Sequence, residues 1–539
     1  MFTKNNLAHL ILLSIPLWVL CLSGIFLIPQ QAHFIREVCN FVLLTSFLYS
    51  LCFLIPSQKL KAICSWIIGF LLSLLLLIKL NFYHIYQVKL SASALFVIFE
   101  TNAQETSEFL EVYISSTFLF LAGIFILYLL GYGYSLFKRK IIFQLDLKPS
   151  FQIILKIGLL GLAVLSAYLI HWKFSEFNIL YTTKTSYADY KTTKKLIKEM
   201  LAQPTSPYLK EVKKDRKAPK IGVVIIGEST NRNHMSLYGY YRNTNPLLAK
   251  QKELWISKDV ITPHVHTVIA LDKILTLNSF ENKRREDNAS VIQLANQAGY
   301  KTFWLSNQRP VGINESVPTL IGYAATEKKF LNTDNYNRKS YDEVLLPAFN
   351  EALQDPAPYK MIFLHLSGTH LGYQERYPNT YEHFKDIPKT KFQHERAYGF
   401  INQYDNAVRY NDYIINDLLE QLKAQQTSSY MIYFSDHGDD VFDDYDNAGH
   451  SEDIGTNGMF EIPYITWVSP QFKEQLKSDL EVTKIENRKY LMDKFIHAFA
   501  DLSQIFFDGL DKTKSIYDST YVEKPRLIKG KIDYDAQKY

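Results

Sequence analysis

The 539-residue chain contains only four cysteines, and none of them lies beyond Cys64. The long remainder therefore has no disulfide and no cysteine that could bind a metal or act as a nucleophile. A domain of that size can still fold, because it buries enough apolar surface without cross-links. No internal repeat or low-complexity tract is present, and the net charge of +5 is too diffuse to indicate a nucleic-acid partner.

Long apolar runs are confined to the first third of the chain, where acidic residues are scarce. Each run is close to the roughly 20 residues that a membrane-spanning helix requires. Buried helices of a soluble core are the alternative, but five runs in close succession favour a membrane domain. The first run lacks a small-residue cleavage site and is expected to remain as an anchor. The five predicted spans are residues 7–28, 38–55, 62–82, 114–136 and 151–172.

Basic residues in the short loops indicate the orientation of these spans. Lys59 and Lys61 lie between the second and third spans, and Lys138, Arg139 and Lys140 lie between the fourth and fifth. The positive-inside rule places both loops in the cytoplasm. An odd number of spans from a cytoplasmic N-terminus then places everything after the fifth span outside.

Three parts follow along the chain. Residues 1–175 are the predicted five-helix membrane domain, with an outer loop at 83–113. Residues 176–215 are an interfacial helix and linker, since a basic amphipathic pattern at 187–201 can lie on an anionic bilayer face. A solvated connector is the alternative for that helix. Residues 216–539 are predicted to form one exported domain.

From residue 220 onward, predicted strands alternate with predicted helices. This alternation is typical of an α/β domain with a mostly parallel central sheet covered on both faces. The predicted strands are residues 221–226, 302–305, 361–366, 430–434 and 464–468. The predicted helices are residues 290–298, 343–353, 402–422 and 488–502.

Acids and imidazoles collect at the ends of these strands, where open α/β sheets bind their ligands. Glu228 follows the first strand, and Asp436 with His437 follows the strand 430–434. His370 lies beyond the strand 361–366, and His450 follows in a loop. Carboxylates and imidazoles are common ligands of Zn²⁺. One such residue is often structural, but several clusters in one domain predict a metal-dependent site for phosphate or sulfate esters.

Several segments resemble one known family. The chain is similar throughout its length to the phosphoethanolamine transferases of Gram-negative envelopes, which belong to the alkaline phosphatase/sulfatase superfamily. Its C-terminal ending resembles the branch that modifies the lipopolysaccharide core, whereas the lipid A branch has disulfide-bonded exported domains. The segments that carry the resemblance are GESTNRNHMSLYGYYRNTNP, HVHTVIAL, LHLSGTHLGYQERYP, YDNAVRYNDYIIND, FSDHGDD, GHSED and VEKPRLIKGKIDYD.

The resemblance implies a zinc-dependent transfer in two steps at the bacterial inner membrane, with the catalytic domain in the periplasm. Phosphatidylethanolamine would donate its phosphoethanolamine group to Thr267, releasing diacylglycerol. A lipopolysaccharide sugar would then accept the group, and the resemblance to the core-modifying branch implies a sugar of the inner core. Glu228, Thr267, Asp436 and His437 match the family's metal ligands. Thr267 also precedes a helical pattern, where unpaired amides favour a phosphoryl group. A plain helix cap is the alternative reading of this threonine.

The resemblance assigns further residues to the substrates. His370 and His450 would contact the transferred phosphate or a second zinc, and His365 is expected to pack or to support the site. In the outer loop, Thr101 and Glu105 match donor-headgroup positions. A carboxylate at the latter position would pair with the ethanolamine ammonium.

Two other hydroxyls compete with Thr267 for the role of nucleophile. Ser229 and Thr230 directly follow Glu228, and we expect the side chain of a metal-bound Glu228 to diverge from that of its neighbour.

Two other functions also remain open: a phosphoglycerol transferase of the same superfamily, and a non-catalytic envelope protein that binds lipid or glycan. The presence of all four metal-ligand matches argues against the non-catalytic alternative.

Overall fold

The computed structural model describes residues 4–86, 89–90, 95, 114–142, 148–282, 287–308, 317–332, 340–476 and 482–536 of the chain. These residues separate into two compact units, with the division between Tyr190 and Lys191. The first unit is helical, and the second contains the sheet. The limits proposed from sequence for the linker, 176–215, stay a prediction.

Five long apolar helices make up most of the first unit. All five are long and apolar enough to cross a membrane, which confirms the five spans expected from the sequence. A further helix, α6 (Ile179–Leu201), contains the basic segment for which a helix is predicted. The five helices are α1 (Lys4–Leu27), α2 (Gln31–Phe53), α3 (Gln58–Tyr86), α4 (Ser116–Phe137) and α5 (Pro149–Lys173).

A buried ion pair links two of these helices. Glu37 on α2 pairs with Lys79 on α3, and the Tyr83 hydroxyl donates to the same carboxylate at 3.1 Å. The Lys79 ammonium also donates to the carbonyl oxygen of Phe177 at 2.6 Å. Charges inside an apolar helix bundle persist where partners satisfy them. This group therefore holds α2, α3 and the turn after α5 together.

A seven-stranded sheet forms the centre of the second unit. Its strands are β1 (Ile221–Gly227), β2 (Leu254–Ser257), β3 (Lys301–Ser306), β4 (Glu327–Phe330), β5 (Lys360–His365), β6 (Ser429–Ser435) and β7 (Tyr464–Val468). The order is β2-β7-β6-β1-β5-β3-β4, with β1 in the middle. Only β7 pairs antiparallel, with β6 on one side and β2 on the other. The mostly parallel sheet is thus confirmed, and β2 and β4 are edge strands that the sequence pattern did not indicate.

Both faces of the sheet are buried, as expected for an apolar run without alternation. In β1, Val224 and Ile226 pack into the cluster on one face. Val223 and Ile225 pack into the cluster on the other face. Successive side chains of a strand point to opposite faces, so β1 contributes equally to the two cores.

Helices cover the two faces of the sheet. The predicted helix 290–298 is present as α8, whose Ser290 and Gln293 form a capping box at its start. The predicted helix 488–502 is wrong in its first half, because Tyr490–Leu491 pairs as a short strand with Val260–Ile261. The helices of this unit are α7 (Thr267–Ile274), α8 (Val291–Gln297), α9 (Val317–Gly322), α10 (Leu345–Gln354), α11 (Glu395–Lys423), α12 (Asn457–Phe460), α13 (Pro470–Leu476), α14 (Val482–Asn487) and α15 (Phe495–Leu502).

Among the described residues, three further pairs of short strands lie outside the main sheet. Lys213–Lys214 pairs with Ile505–Phe506, and Asp440–Val441 pairs with Ala448–Gly449. Near the end of the chain, Leu527–Ile528 pairs with Ile532–Asp533. We call this last pair, with its connecting turn, the C-terminal hairpin (residues 527–533).

Candidate active site

Two neighbouring parallel strands bring the predicted metal ligands together. Glu228 directly follows β1, and Asp436 and His437 follow β6; Gly227 lies opposite Ser435 in the register of these strands. The carboxyl ends of parallel neighbours meet at one edge of the sheet. As a result, Nε2 of His437 lies 3.3 Å from Oε1 of Glu228 and 3.4 Å from Oδ2 of Asp436. All three side chains are almost completely buried.

Thr267 reaches this cluster from a different part of the fold. It is the first residue of α7, with His266 as the preceding cap residue. Its hydroxyl oxygen lies 3.2 and 3.3 Å from the two carboxylate oxygens of Glu228 and 3.3 Å from Nε2 of His437. The threonine is half-buried. The structure therefore brings together all four residues that the sequence analysis selected as ligands.

The donor atoms of this cluster suit a cation. The Asp436 oxygen Oδ1 accepts backbone N–H groups from Ser229 at 3.1 Å and from His437 at 2.7 Å. Its other oxygen, Oδ2, is buried without a hydrogen-bond partner among the described residues. Burial, followed by the charge of Glu228, raises the pKa of Asp436 above its usual range. A bound cation would satisfy Oδ2 and offset the repulsion between the two carboxylates.

The imidazole of His437 is oriented by the backbone of the next residue, Gly438. Its Nδ1 lies 3.1 Å from the carbonyl oxygen of Gly438, and an Nδ1–H donor there leaves Nε2 as the free ligand atom. A Cβ at Gly438 would lie 2.2 Å from the backbone oxygen of Gly458. Only glycine therefore allows α12 to approach this loop so closely.

Gln308 also contacts the cluster, although it was not among the residues predicted from the sequence. Its amide Nε2 donates to Oε2 of Glu228 at 2.9 Å and to the carbonyl oxygen of Leu366 at 3.0 Å. It therefore helps to orient the carboxylate that Thr267 also contacts. Gln308 follows β3, so the same reasoning from strand ends could have selected it.

His450 lies beside the cluster, and His370 lies near it. The ring centroids of His450 and His437 are 4.0 Å apart. His437, Asp439 and His450 form a second group whose potential ligand atoms lie within 4.8 Å of one another. Asp439, which the sequence analysis also missed, contacts Nδ1 of His450 at 2.7 Å. Although burial opposes it, His437 and then the charge of His370 hold the pKa of Glu228 well below its usual range.

The remaining predicted residues divide between a buried packing position and an undescribed loop. His365 is buried with its ring centroid 5.5 Å from that of Trp304, and burial lowers its pKa to about 4. It thus packs as a neutral side chain. Thr101 and Glu105 lie outside the described residues.

The expected divergence of Ser229 from Glu228 is wrong. The Ser229 hydroxyl donates to Oε1 of Glu228 at 3.0 Å, because a φ of 59° turns the chain back at this residue. Burial distinguishes the candidates instead. Ser229 and Thr230 are fully buried, and the Thr230 hydroxyl is 3.1 Å from that of Thr369. A substrate could reach the half-buried Thr267 more readily than either of them.

Comparisons with known proteins agree with this architecture. A family model described as Sulfatase matches residues 220–505. The phosphoethanolamine transferase EptC of Escherichia coli (strain K12) is 31% identical over 544 aligned residues, covering 92% of this chain and 90% of that protein.

Two solved structures are similar to the chain. The C-terminal periplasmic domain of Escherichia coli EptC in complex with zinc is 32% identical, with a TM-score of 0.59, and the match covers 62% of this chain and 98% of that domain. The integral membrane phosphoethanolamine transferase EptA of Neisseria meningitidis has a TM-score of 0.61, covering 90% of this chain and 97% of that protein. At 18% identity, EptA shows the shared fold alone.

Proposed function

The chain belongs to the sulfatase family and, within it, to the phosphoethanolamine transferases; from this membership we propose that it modifies an inner-core sugar of lipopolysaccharide. The donor is phosphatidylethanolamine, and diacylglycerol is the first product. The phosphoethanolamine group passes through a covalent intermediate on Thr267. The motifs shared with the core-modifying branch and the absence of cysteine from the exported domain support the choice of acceptor.

The protein resides in the bacterial inner membrane as a multi-pass chain, with its catalytic domain in the periplasm. A membrane lipid is therefore present at high effective concentration for a domain anchored in the same bilayer. In the outer loop, Thr101 and Glu105 are proposed to hold the donor headgroup, the carboxylate pairing with the ammonium group.

The observation that supports the covalent step most directly is the position of the Thr267 hydroxyl. Its oxygen lies within 3.3 Å of both Glu228 and His437 at the start of α7. The first amides of a helix have no intrahelical acceptor and favour an anionic phosphoryl group. The Thr267 hydroxyl, held among carboxylate and imidazole groups, can therefore attack a phosphorus centre. The helix amides beside it can stabilise the negative charge on the phosphoryl oxygens.

The proposed reaction balances over two displacements. In the first, the Thr267 oxygen bonds to phosphorus while the bond from phosphorus to the diacylglycerol oxygen breaks. The hydroxyl proton lost by Thr267 is matched by the proton that diacylglycerol gains. In the second, a sugar hydroxyl bonds to phosphorus, the bond to Thr267 breaks, and the threonine regains a proton.

Zinc fits the site above all because the buried Oδ2 of Asp436 has no hydrogen-bond partner among the described residues. Glu228, Asp436 and His437 would hold it, with Thr267 as the fourth ligand. When bound, it would supply a Lewis acid that lowers the pKa of the threonine hydroxyl. His370 and His450 are proposed to contact the phosphate or to bind a second ion.

Trapping the intermediate tests this proposal. The full-length protein in detergent is incubated with labelled phosphatidylethanolamine, and peptide mass spectrometry is expected to find the added phosphoethanolamine on the peptide containing Thr267. Thr267→Ala should abolish the label while much of the zinc remains, because three ligands persist. Label on Ser229 or Thr230 would show that the wrong nucleophile was chosen. Labelled phosphatidylglycerol is the control donor, and preferred transfer from it would favour the phosphoglycerol alternative.

The acceptor is tested separately in cells. Lipopolysaccharide from strains with and without the gene should differ by one phosphoethanolamine group on the inner core. A group found on lipid A instead would correct the proposed acceptor but leave the Thr267 chemistry intact.

A further inference from the structure

The segment that leads into Thr267 has no regular secondary structure. It runs from Thr262 to His266, between a short strand and α7. Its course therefore depends on contacts with other parts of the fold. The hydroxyl of Thr262 donates to the carbonyl oxygen of Asp436 at 2.6 Å, which ties one end of the segment to the ligand-bearing loop.

A single carboxylate holds the middle of this segment. Oε1 of Glu452 lies 2.5 Å from Nδ1 of His264, and Oε2 accepts the backbone N–H of Val265 at 2.9 Å. Both side chains of the Glu452–His264 pair are largely buried, with 11% and 13% of their surface exposed. Two contacts to adjacent residues restrain both the position and the direction of the chain just before Thr267.

The C-terminal hairpin contacts both this segment and Glu452. The backbone N–H of Lys529 donates to the carbonyl oxygen of Pro263 at 3.0 Å, and the Lys529 ammonium donates to the carbonyl oxygen of Glu452. Ile528 packs with Val265 in a small hydrophobic cluster that is separate from the two main cores. The hairpin thus contacts both partners of the restraint.

We propose that Glu452 is a positioning residue for Thr267. It does not touch the reacting atoms; it acts through the backbone of Val265 and the imidazole of His264. Because it follows His450 by two residues on the same loop, it also couples the segment before Thr267 to the loop that faces the transferred group. This inference rests on the proposed function, since it assigns a role within that same reaction.

Glu452→Ala removes both contacts and loosens the segment just before Thr267, while the contacts of Thr262 and Pro263 remain. A displacement of about 1 Å at a reacting group can cost about 100-fold in rate, so we expect kcat to fall by about 10- to 100-fold with KM for phosphatidylethanolamine changed less than about twofold. Zinc content should equal that of the wild type. Glu452→Gln keeps the length and an acceptor oxygen and should recover most of the rate. The matched control is Glu351→Ala, since Glu351 is 70% exposed and pairs only with Lys329 among the described residues.

The measurements use the full-length protein in detergent, with steady-state kinetics, zinc analysis and the fraction of Thr267 labelled in a single turnover. An unchanged kcat and labelling rate for Glu452→Ala would overturn the proposal. So would equal loss of zinc and thermal stability in the alanine and glutamine variants, because that result indicates a purely structural role.

A second variant covers the case in which Glu452→Ala does not fold. His264→Phe keeps an aromatic ring beside Phe280, from which the His264 centroid is 5.5 Å, but removes the ring nitrogen that contacts Glu452 and leaves only the Val265 contact. It should lower kcat with zinc retained, and wild-type kinetics for it would refute the inference. Absence of transfer by the wild-type protein would instead refute the proposed function, so the two failures are distinguishable.

Discussion

The sharpest test of the metal site is Asp436→Asn. The asparagine can keep its oxygen at the position of Oδ1, which accepts backbone N–H groups from Ser229 and His437. The substitution therefore changes Oδ2, the buried oxygen that has no hydrogen-bond partner in the described part of the chain. An amide NH₂ there would direct two donor hydrogens towards the place proposed for the cation. We expect the domain to fold and its affinity for zinc to fall.

The size of the effect follows from the contact that is lost. An interaction with a charged group contributes about 1.5–3 kcal/mol, which corresponds to a dissociation constant raised about 10- to 150-fold. If zinc binds about 100-fold more weakly, its stabilisation of the folded state falls by about 2.7 kcal/mol at the same free zinc concentration. For a domain of this size, that loss lowers the melting temperature by about 5 °C.

The zinc-free protein should respond differently. Without a cation, two buried carboxylates, Glu228 and Asp436, repel each other, and replacement of one by a neutral amide removes that repulsion. The melting temperature after chelation should thus be unchanged or higher in Asp436→Asn than in the wild type. A simple folding defect would lower it in both states.

Zinc titration and thermal unfolding in parallel distinguish these outcomes. Asp444→Asn is the matched control, because Asp444 is 56% exposed, pairs with Lys391 and lies outside the cluster. Wild-type zinc affinity in Asp436→Asn would refute the ligand assignment. Full transferase activity of the wild type after exhaustive chelation would refute the metal mechanism as a whole.

Three further predictions follow. Gly438→Ala should destabilise the domain by about 1–3 kcal/mol and reduce its zinc content, because a Cβ would lie 2.2 Å from a backbone oxygen of α12. The control is Gly399→Ala, where a Cβ meets nothing within 4 Å, and this variant should keep the stability and zinc content of the wild type. Burial lowers the pKa of His234, but Asp443 and Asp405 outweigh it and raise the pKa to about 10. This histidine therefore stabilises the fold fully below about pH 6.5 and loses that contribution as the pH rises towards 10. The melting temperature of His234→Phe should thus change less between pH 7 and 9.5 than that of the wild type. Equal changes in the two proteins would contradict this prediction. A reporter fused after the last residue should be active only if it functions outside the cytoplasm, and activity of a cytoplasm-specific reporter would overturn the orientation.

Much of the fold was accessible from local pattern. The strand 464–468 and four of the five apolar runs were predicted within a few residues of the observed elements, whereas α2 begins at Gln31, well before the predicted start at residue 38. The error at 488–502 has a specific cause. Tyr490–Leu491 has residues that suit a helix or a strand, and pairing with Val260–Ile261 selects the strand. Tertiary pairing overrides a weak local preference in such cases.

The residues of the candidate site also fall into those that the local sequence pattern indicates and those that it does not. Glu228, Asp436 and His437 each follow a buried strand directly, and parallel pairing brings such strand ends together whatever the loops do. The amino-acid sequence by itself therefore determined the membrane segments, the five inner strands of the sheet and this carboxylate–imidazole cluster, because short-range hydrophobic patterns specify all three. The sequence also indicated Thr267, but only through resemblance to a known family. Thr267 lies 39 positions beyond Glu228, and it does not follow a predicted strand.

Only the tertiary structure decided which other side chains meet the cluster. Gln308 reaches Glu228 across 80 positions of sequence, and Glu452 reaches Val265 across 187. Ser229 turns back onto Glu228 because its backbone adopts a left-handed conformation, which a strand-end pattern does not encode. The physical reason is common to all three: the path of an irregular segment depends on the sum of many distant contacts, whereas the end of a buried strand is specified by the residues of the strand itself.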